Sequence, residues 1–269
     1  MQWSDKSAIV TGASSGIGLA VAHELVQRGV HVALVARSAD KLQAAARALG
    51  DRAVAFALDV TDRAALLALP AQVDARFGRL DFIVNNAGVN HRGSVRERTS
   101  DELAAILETN LTAPILLTQA ALPLLRPGGV VVNVASLAGK VPVPHEATYS
   151  ASKAGLRAFT RALDVELTAR GLRACTVCPG PVDTGFFGDD LAKVPDLVFS
   201  QPMSTAEDIA AAVVRAIETG EAEIDVPALS GKLATLGYLS PRMFAWLRPI
   251  MEKRGARNKV RFLAAKRPA

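Results

Sequence analysis

The stretch Ala8-Ile9-Val10-Thr11-Gly12-Ala13-Ser14-Ser15-Gly16-Ile17-Gly18 decides the fold of this chain. Three apolar residues typical of a buried strand lead into a glycine-rich turn, and the pattern of residues 19–27 then predicts a helix. Glycine lets the chain turn tightly and brings backbone N–H groups and the helix N-terminus close to a pyrophosphate. A glycine-rich turn between the first strand and first helix of a βαβ unit therefore predicts a nucleotide-binding site.

The alternation of strand and helix continues along the chain. Short apolar or β-branched runs are separated by amphipathic or Ala-rich segments of helical length, and they occupy residues 8–10, 31–36, 53–58, 82–84, 130–134, 173–178 and 222–226. Strands that are apolar on both faces are typical of a parallel sheet covered by helices on each side. We predict an α/β fold: a doubly wound, parallel seven-stranded sheet of the Rossmann type, in a single domain over residues 1–230 with a C-terminal extension over residues 231–269.

Composition and the start of the chain favour a soluble protein of the cytoplasm. Half of the 269 residues are apolar, which is enough for a large core. No run approaches the roughly 18 to 20 uninterrupted apolar residues of a membrane-spanning helix, and residues 1–6 lack the basic-then-apolar layout of a secretory signal. We therefore expect a cytoplasmic location.

The positive charge of the chain is confined to its C-terminal part. The formal net charge is +5, yet residues 251–269 hold seven Lys or Arg against one acid, so the other 250 residues carry a net charge of −1. A basic face spread over the domain is not expected, and this argues against nucleic-acid binding.

Cysteines and histidines give no sign of a metal site. Cys175 and Cys178 lie in an apolar run that predicts a strand, and we interpret them as buried thiols because no second ligand cluster accompanies them. The four histidines show no ligand spacing. We expect no bound metal.

The end of the second predicted strand bears on the choice of nucleotide. NAD-binding chains of this kind usually place an acid there, about 20 positions after the glycines, to bond the ribose 2′-hydroxyl. Here the strand ends at Ala36, and Arg37-Ser38 follows. A guanidinium beside a hydroxyl suits a 2′-phosphate, so NADP(H) is predicted in preference to NAD(H). The alternative is that Arg37 is a solvated surface residue; Asp40 is expected to cap the next helix.

Tyr149 and Lys153 form a candidate proton-transfer pair. They lie four residues apart, so on a helix their side chains share one face. A cation near a phenol favours the phenolate and lowers its pKa, which lets the pair move protons. The spacing alone occurs by chance on many helices, so its weight depends on the other motifs.

Several motifs in one order carry a family resemblance. TGxxxGxG occupies residues 11–18, Asp59-Val60 ends the third predicted strand, Asn85-Asn86-Ala87-Gly88 follows the fourth, and Pro179-Gly180-Pro181-Val182-Asp183-Thr184 comes later. Asn110, Ser136, Tyr149 and Lys153 have the order and spacing of a catalytic tetrad. Over residues 6–226 the chain resembles the short-chain dehydrogenase/reductase superfamily.

The resemblance implies a role for each residue of the tetrad. Tyr149 would exchange a proton with the carbonyl or alcohol oxygen as general acid or base, and Ser136 would stabilise that oxygen, so both would contact the substrate. Lys153 would hold the nicotinamide ribose and lower the tyrosine pKa. Asn110 would bend its helix and retain a water in the proton relay. The hydride would come from the cofactor.

The cofactor site that the resemblance and the motifs imply runs along most of the chain. It comprises Gly12, Ser14, Ser15, Gly16, Ile17, Gly18, Arg37, Ser38, Asp59, Val60, Asn86, Ala87, Gly88, Asn110, Tyr149, Lys153, Pro179, Gly180, Val182 and Thr184.

Residues 185–204, here called the lid, correspond to a mobile segment over the substrate in the resembling family. The lid holds Phe186, Phe187, Leu191, Val194, Leu197, Val198 and Phe199, and apolar residues 141–144 precede Tyr149. An apolar pocket and a lipophilic ketone or alcohol as small-molecule substrate are expected, although the same residues would equally serve to pack the lid on the core. His145 could line the mouth of this pocket or lie in an exposed loop.

The C-terminal part extends beyond the resemblance. Ser240-Pro241 predicts a helix start, apolar residues follow with Pro249 among them, and clustered Lys and Arg come next. Pro249 is expected to interrupt or kink the helix. Such a segment could lie on a membrane surface, or pack on its own domain or on a partner subunit. Because the resembling family forms dimers or tetramers, a homo-oligomer is expected.

Three functions stay open on the sequence. The first is an NADP(H)-dependent oxidoreductase that interconverts a secondary alcohol and a ketone or aldehyde. The second is a nucleotide-sensing protein of the same fold that does not catalyse, and the third is a membrane-attached enzyme that reaches lipid-borne substrate. The complete tetrad of Asn110, Ser136, Tyr149 and Lys153 favours catalysis, because a sensor has no need of it.

Overall fold

The computed structural model describes residues 2–187 and 194–265. In these ranges seven parallel strands form one sheet in the order β3-β2-β1-β4-β5-β6-β7. The strands are β1 Ser7–Thr11, β2 His31–Ala36, β3 Ala53–Ala57, β4 Leu80–Asn85, β5 Leu125–Val134, β6 Arg173–Pro179 and β7 Glu223–Val226. The helices are α1 Gly16–Gln27, α2 Ala39–Leu49, α3 Arg63–Phe77, α4 Ser100–Leu107, α5 Ala113–Ala121, α6 Ala147–Thr168, α7 Ala206–Thr219, α8 Ala228–Leu239 and α9 Pro241–Ala265.

The sheet is buried on both faces, as its apolar strands predict. Successive side chains of a strand point to opposite faces, so Val10 and Leu34 pack beneath α1 and α7, whereas Ile9 and Ala33 pack beneath α3 and α5. All four are fully buried. The predicted doubly wound Rossmann-type fold in a single domain is confirmed.

The strand order places a crevice at the carboxyl ends of β1 and β4. After β1 the chain builds β2 and β3 on one side, then crosses to β4 and continues on the other side. Loops that leave β1 and β4 diverge at this reversal, which is where open α/β sheets bind ligands. The glycine-rich turn and the Asn85–Gly88 motif begin at these two strand ends.

One local expectation was wrong: Ser38, not Asp40, is the N-cap residue of α2, and Asp40 lies in the first helical turn. Helix α9 starts at Pro241 as predicted and continues through Pro249, so of the two expected effects of Pro249 the interruption is absent and the kink stays a prediction. Pro249 and Ala245 are both exposed, so the carbonyl of Ala245, which loses its helical partner at Pro249, can bond to water.

The predicted C-terminal extension forms two helices in the described residues. The predicted boundary at residue 230 falls within α8, which packs against β7, and α9 packs against residues 194–200 of the lid. No helix in the described ranges combines the length and apolar character needed to cross a membrane. Gly188 and Leu191 of the lid, and Lys266 and Arg267 of the basic cluster, lie outside the described residues.

Candidate active site

The glycine-rich turn has a backbone that only glycine accommodates easily. Gly12 and Gly16 have φ of +69° and +53°, in the left-handed region. A β-carbon on Gly18 would overlap the carbonyl oxygen of Gly12, so a glycine at position 18 lets α1 start directly against the turn. The N-terminus of α1 therefore opens into the crevice with its backbone N–H groups available to an anion.

The Asn85–Gly88 motif fastens the loop after β4 to the end of β1. The Thr11 hydroxyl accepts hydrogen bonds from the backbone N–H groups of Asn86 and Ala87, each at 3.0 Å. The Asn86 amide donates to the Thr11 carbonyl at 2.9 Å. Neighbouring Asn85 points away from the crevice and donates to Asn133 at 2.8 Å, which ties β4 to β5. The two loops of the crevice are thus held at a fixed separation.

The end of β2 presents cations to the same crevice. The Arg37 side chain is 72% exposed and its guanidinium lies 3.9 Å from the Asp59 carboxylate, too far for a strong pair. Arg37, Ser38 and Asp59 all line the cleft, and so does Lys41, in the first turn of α2. Sequence reasoning missed Lys41, although its position three residues after Ser38 on a predicted helix could have indicated it.

Asn110 lies in a π-helical turn, Glu108–Thr112, between α4 and α5. The wider turn directs its amide inward, where it is fully buried. The Asn110 amide donates to the Val89 carbonyl at 2.9 Å and accepts from the Val89 N–H at 2.8 Å. It also donates to the Ser152 hydroxyl at 3.2 Å. Asn110 thereby links the loop after β4 to α6, the helix that carries Tyr149 and Lys153.

Tyr149 and Lys153 lie on one face of α6 and are both buried. The Lys153 ammonium donates to the Val134 carbonyl at 2.9 Å and lies 5.9 Å from the centre of the Tyr149 ring. Ser136 follows β5, where its hydroxyl accepts from the Ala138 N–H at 3.0 Å and lies near the Tyr149 phenol. The structure therefore brings Ser136, Tyr149 and Lys153 together, with Asn110 behind them.

Burial dominates the acid–base properties of the pair. Burial raises the pKa of Tyr149 to about 12, with a further increase from the negative charge of Glu146; the Ser136 hydroxyl and the positive charge of Arg92 oppose it. Burial lowers the pKa of Lys153 to about 8. The net shift of the Tyr149 pKa is upward and Lys153 is not among its main causes, so the expected lowering of this pKa by Lys153 stays a prediction.

A single cleft of about 1370 Å³ joins these parts. Every residue of the predicted cofactor and catalytic set lines it except Gly18 and Asn110, which are buried beneath its surface. Its other end is bordered by residues of the lid, α8 and α9. His145 is exposed and does not line the cleft. Of its two expected positions, it therefore has the one in an exposed loop.

Arg92 and Glu146 form an ion pair beside Tyr149 that sequence reasoning missed. The Arg92 Nε donates to Glu146 at 2.9 Å, and both side chains are largely buried. The Arg92 guanidinium also lies over the Phe186 ring, 5.5 Å from its centre, and that ring lies 6.1 Å from the Tyr149 ring. Arg92 thus connects the start of the lid to the N-terminus of α6. On the sequence Arg92 resembles an ordinary solvated cation, so no signal pointed to it.

Cys175 and Cys178 are buried thiols, as expected, and burial raises the pKa of each to about 12. Cys178, Glu223 and Asp225 bring three potential metal-ligand atoms close together. The two carboxylates, however, both bind the Lys140 ammonium at 2.7 Å. A protonated thiol and two neutralised carboxylates describe an ion-pair cluster rather than a metal centre.

Comparison with known proteins gives the family. A family model described as short chain dehydrogenase matches residues 6–194. The chain belongs to the short-chain dehydrogenase family. This short-chain dehydrogenase is 35% identical to the ketoacyl reductase HetN of a Nostoc species over 95% of this chain and 94% of that protein. It is also 35% identical to the 3-oxoacyl-[acyl-carrier-protein] reductase FabG of Vibrio cholerae, over 78% of this chain and 90% of that protein.

Solved structures agree with the family assignment. A short-chain dehydrogenase from Burkholderia cenocepacia, determined in complex with NADP, matches with a TM-score of 0.77 and 34% identity over 84% of this chain and 97% of that chain. A dehydrogenase/reductase from Sinorhizobium meliloti matches with a TM-score of 0.75 and 31% identity, over 82% of this chain and 94% of that chain. This short-chain dehydrogenase therefore shares both fold and family with oxidoreductases.

Proposed function

We propose that this protein is an NADP(H)-dependent oxidoreductase that interconverts a lipophilic ketone or aldehyde and its alcohol, with Tyr149 as general acid or base. The observation that carries the proposal is the single cleft in which Ser136, Tyr149 and Lys153 face the same space as the glycine-rich turn. A cleft that joins a nucleotide cradle to a proton donor is what hydride-transfer chemistry requires.

The cofactor assignment rests on the cations at the end of β2. Arg37 and Lys41 border the cleft beside the N-terminus of α2, where a dianionic 2′-phosphate would meet two cations, the Ser38 hydroxyl and the positive end of the helix. The left-handed glycines of the first turn form a cradle that a side chain would fill. These residues fit NADP(H), and the NADP complex of the Burkholderia relative supports the choice. NADPH, when bound, supplies the hydride.

The proton would come from Tyr149. Since its pKa is raised to about 12, the phenol keeps its proton at neutral pH and can give it to a carbonyl oxygen that gains negative charge. The Ser136 hydroxyl would stabilise the same oxygen. Lys153, held by the Val134 carbonyl, would orient the cofactor ribose. Asn110 would hold the loop after β4 against α6 and retain the relay water.

The substrate class follows from the far end of the cleft. Val141, Val143, Phe186, Leu197 and Val198 border it, so the apolar part of a substrate would pack against apolar side chains there. The names of the Nostoc and Vibrio relatives, both ketoacyl reductases, support a carbonyl substrate.

Purified protein would be tested with NADPH and a panel of aliphatic and aromatic ketones, aldehydes and the corresponding alcohols. Oxidation of NADPH by at least one lipophilic ketone, absent in Tyr149→Phe, is expected. Tight NADPH binding without turnover across the panel would instead assign the protein to the non-catalytic sensors of this fold.

A second candidate, attachment to a membrane surface, is favoured by an exposed apolar patch at the cleft mouth. Leu229, Leu233, Leu236, Tyr238 and Leu239 of α8 are 52–74% exposed, as are Trp246 and Ile250 of α9 at 72% and 61%. Exposed cations of α9 follow directly: Lys253, Arg254, Arg257 and Arg261. Apolar side chains next to cations are suited to an anionic lipid surface.

Co-sedimentation with vesicles that contain an anionic phospholipid tests the attachment. Binding should be lost when Leu229, Leu239 and Trp246 are all replaced by serine, with activity on a short soluble ketone retained. Unchanged sedimentation of this triple variant would remove the membrane candidate. A homo-oligomer and a cytoplasmic location stay predictions of the sequence.

A further inference from the structure

Helix α9 is fastened to the lid by four separate contacts. The Lys259 ammonium donates to the Val194 carbonyl at 2.6 Å and to the Asp196 carboxylate at 3.2 Å. The Asn258 amide donates to the Phe199 carbonyl at 3.0 Å, and the Phe262 ring lies 5.7 Å from the Phe199 ring. These partners span residues 194–199, so the helix holds this part of the lid.

Gly255 makes this close approach possible. It is buried, and a β-carbon at position 255 would overlap the carbonyl oxygen of Asp196. Glycine inside a helix is destabilising relative to alanine, so its place in the middle of α9 calls for a packing reason. Contact with the lid backbone supplies that reason.

The same helix also borders the cleft. Phe244, Leu247 and Met251 of α9, together with Leu233 and Leu236 of α8, form an apolar wall at the end of the cleft, beyond the lid. On the other side the lid contributes Leu197 and Val198. Apolar side chains thus face the cleft from both sides, which suits an alkyl or acyl chain better than a compact polar substrate.

We propose that α9 is a specificity element of this enzyme: the apolar wall binds the distal chain of a long aliphatic substrate, while Lys259 and Gly255 act as positioning residues for the lid. The proposal rests on the proposed function and gives its substrate a class, a carbonyl or alcohol with an extended aliphatic chain. A substrate with a short chain would reach Tyr149 without touching the wall.

The apolar wall is tested by a larger side chain that fills the space in front of it. Leu247→Trp is compared with Ala245→Trp, which adds the same ring on an exposed position of the same helix. For a series of 2-alkanones from short to long, Leu247→Trp should lower kcat/KM for the long members about tenfold or more and leave the short members unchanged, while Ala245→Trp changes neither. An equal loss for short and long substrates, or no loss, overturns the wall.

Lys259 and Gly255, which we call the clamp, are tested by removing the charge of Lys259. Lys259→Met is compared with Lys253→Met, an exposed lysine of the same helix. Lys259→Met should speed hydrogen–deuterium exchange of residues 194–200 and raise KM for the long ketone several-fold, with the Kd for NADPH and kcat little changed. Gly255→Val should reproduce this pattern. Exchange of the lid that matches the parent in both variants overturns the clamp.

The two proposals fail in different ways. If the parent protein turns over no carbonyl or alcohol, the proposed function fails. Calorimetric binding of a long-chain alcohol to the parent and to Leu247→Trp in the presence of NADP⁺, with Ala245→Trp as control, still decides whether the wall binds a chain. Equal affinities in all three proteins would then overturn the inference by itself.

Discussion

The Lys153 ammonium donates to the Val134 carbonyl at 2.9 Å while it lies 5.9 Å from the centre of the Tyr149 ring. The lysine is thus held by the backbone of β5 rather than by the phenol. A cation fixed by the sheet keeps its place when the tyrosine changes its protonation state. The two groups can therefore be altered separately, and their effects are expected to differ.

Replacement of Tyr149 by phenylalanine removes the proposed proton donor and little else. We expect reduction of a lipophilic ketone to fall by about 10²- to 10⁴-fold, the range of general acid catalysis. The Kd for NADPH, measured by fluorescence titration, should stay within about twofold. Tyr238→Phe, which changes the exposed second tyrosine, is the control and should keep full activity. Retained activity in Tyr149→Phe would remove the tyrosine from the mechanism.

The rate of reduction should depend on the protonation of Lys153. Its pKa is lowered to about 8, so the ammonium is present below this pH and is lost above it, whereas Tyr149, at about 12, keeps its proton throughout. We expect kcat/KM for reduction to decrease above about pH 8. Lys153→Met should show a low rate without this decrease. A pH profile shared by parent and variant would assign the titration to another group.

The pKa of Tyr149 should fall when Glu146 becomes glutamine. A carboxylate near a phenol disfavours the phenolate, and it is the second largest cause of the raised value. Without that charge burial still raises the Tyr149 pKa, and the positive charge of Arg92 still lowers it, so the net value decreases. In a Tyr238→Phe background the ultraviolet absorbance of tyrosinate reports on Tyr149 alone, since the chain has two tyrosines. Ionisation at the same or a higher pH in Glu146→Gln would contradict the assignment.

Cofactor preference should shift with Arg37. Arg37→Asp replaces a cation at the proposed phosphate position with the acid typical of NAD sites. We expect kcat/KM with NADPH to fall about a hundredfold and the value with NADH to rise. Arg47→Asp, on an exposed part of α2 away from the cleft, makes the same charge change and should leave the ratio unaltered. Equal use of NADH and NADPH by the parent would contradict the proposed role of Arg37 in binding the 2′-phosphate.

Asn110 should matter to stability as well as to catalysis. In Asn110→Leu the N–H and carbonyl of Val89 lose their partners, and the free energy of unfolding should decrease by about 2 kcal/mol. Urea denaturation measures this value. Glu108→Gln, at an exposed position of the same π-helical turn, is the control. A stability equal to that of the parent would mean that water replaces the amide.

The sheet and the motifs were predictable because their signals are local. Each predicted apolar run lies within or overlaps a strand of the structure; β2, at His31–Ala36, has the predicted bounds, whereas β5 begins five residues before its predicted run. The tetrad also depends on fixed spacings, such as the four residues from Tyr149 to Lys153 on one helix.

The surroundings of the site depend on contacts that no local pattern records. The pair of Arg92 and Glu146 joins residues 54 positions apart, and Lys259 reaches an aspartate 63 positions earlier. The raised pKa of Tyr149 follows from burial by such segments, so a helix with the right spacing could not indicate its direction. The uninterrupted helix α9 likewise depends on the exposure of Pro249, which is a property of the folded protein.

Helix α9, with Gly255 in its middle, follows the glycine-rich turn, the tetrad and all seven described strands along the chain. The ribosome therefore makes the proposed nucleotide cradle before it makes the helix that contacts the lid. We expect a newly made chain to acquire its affinity for the cofactor before its ability to select a substrate.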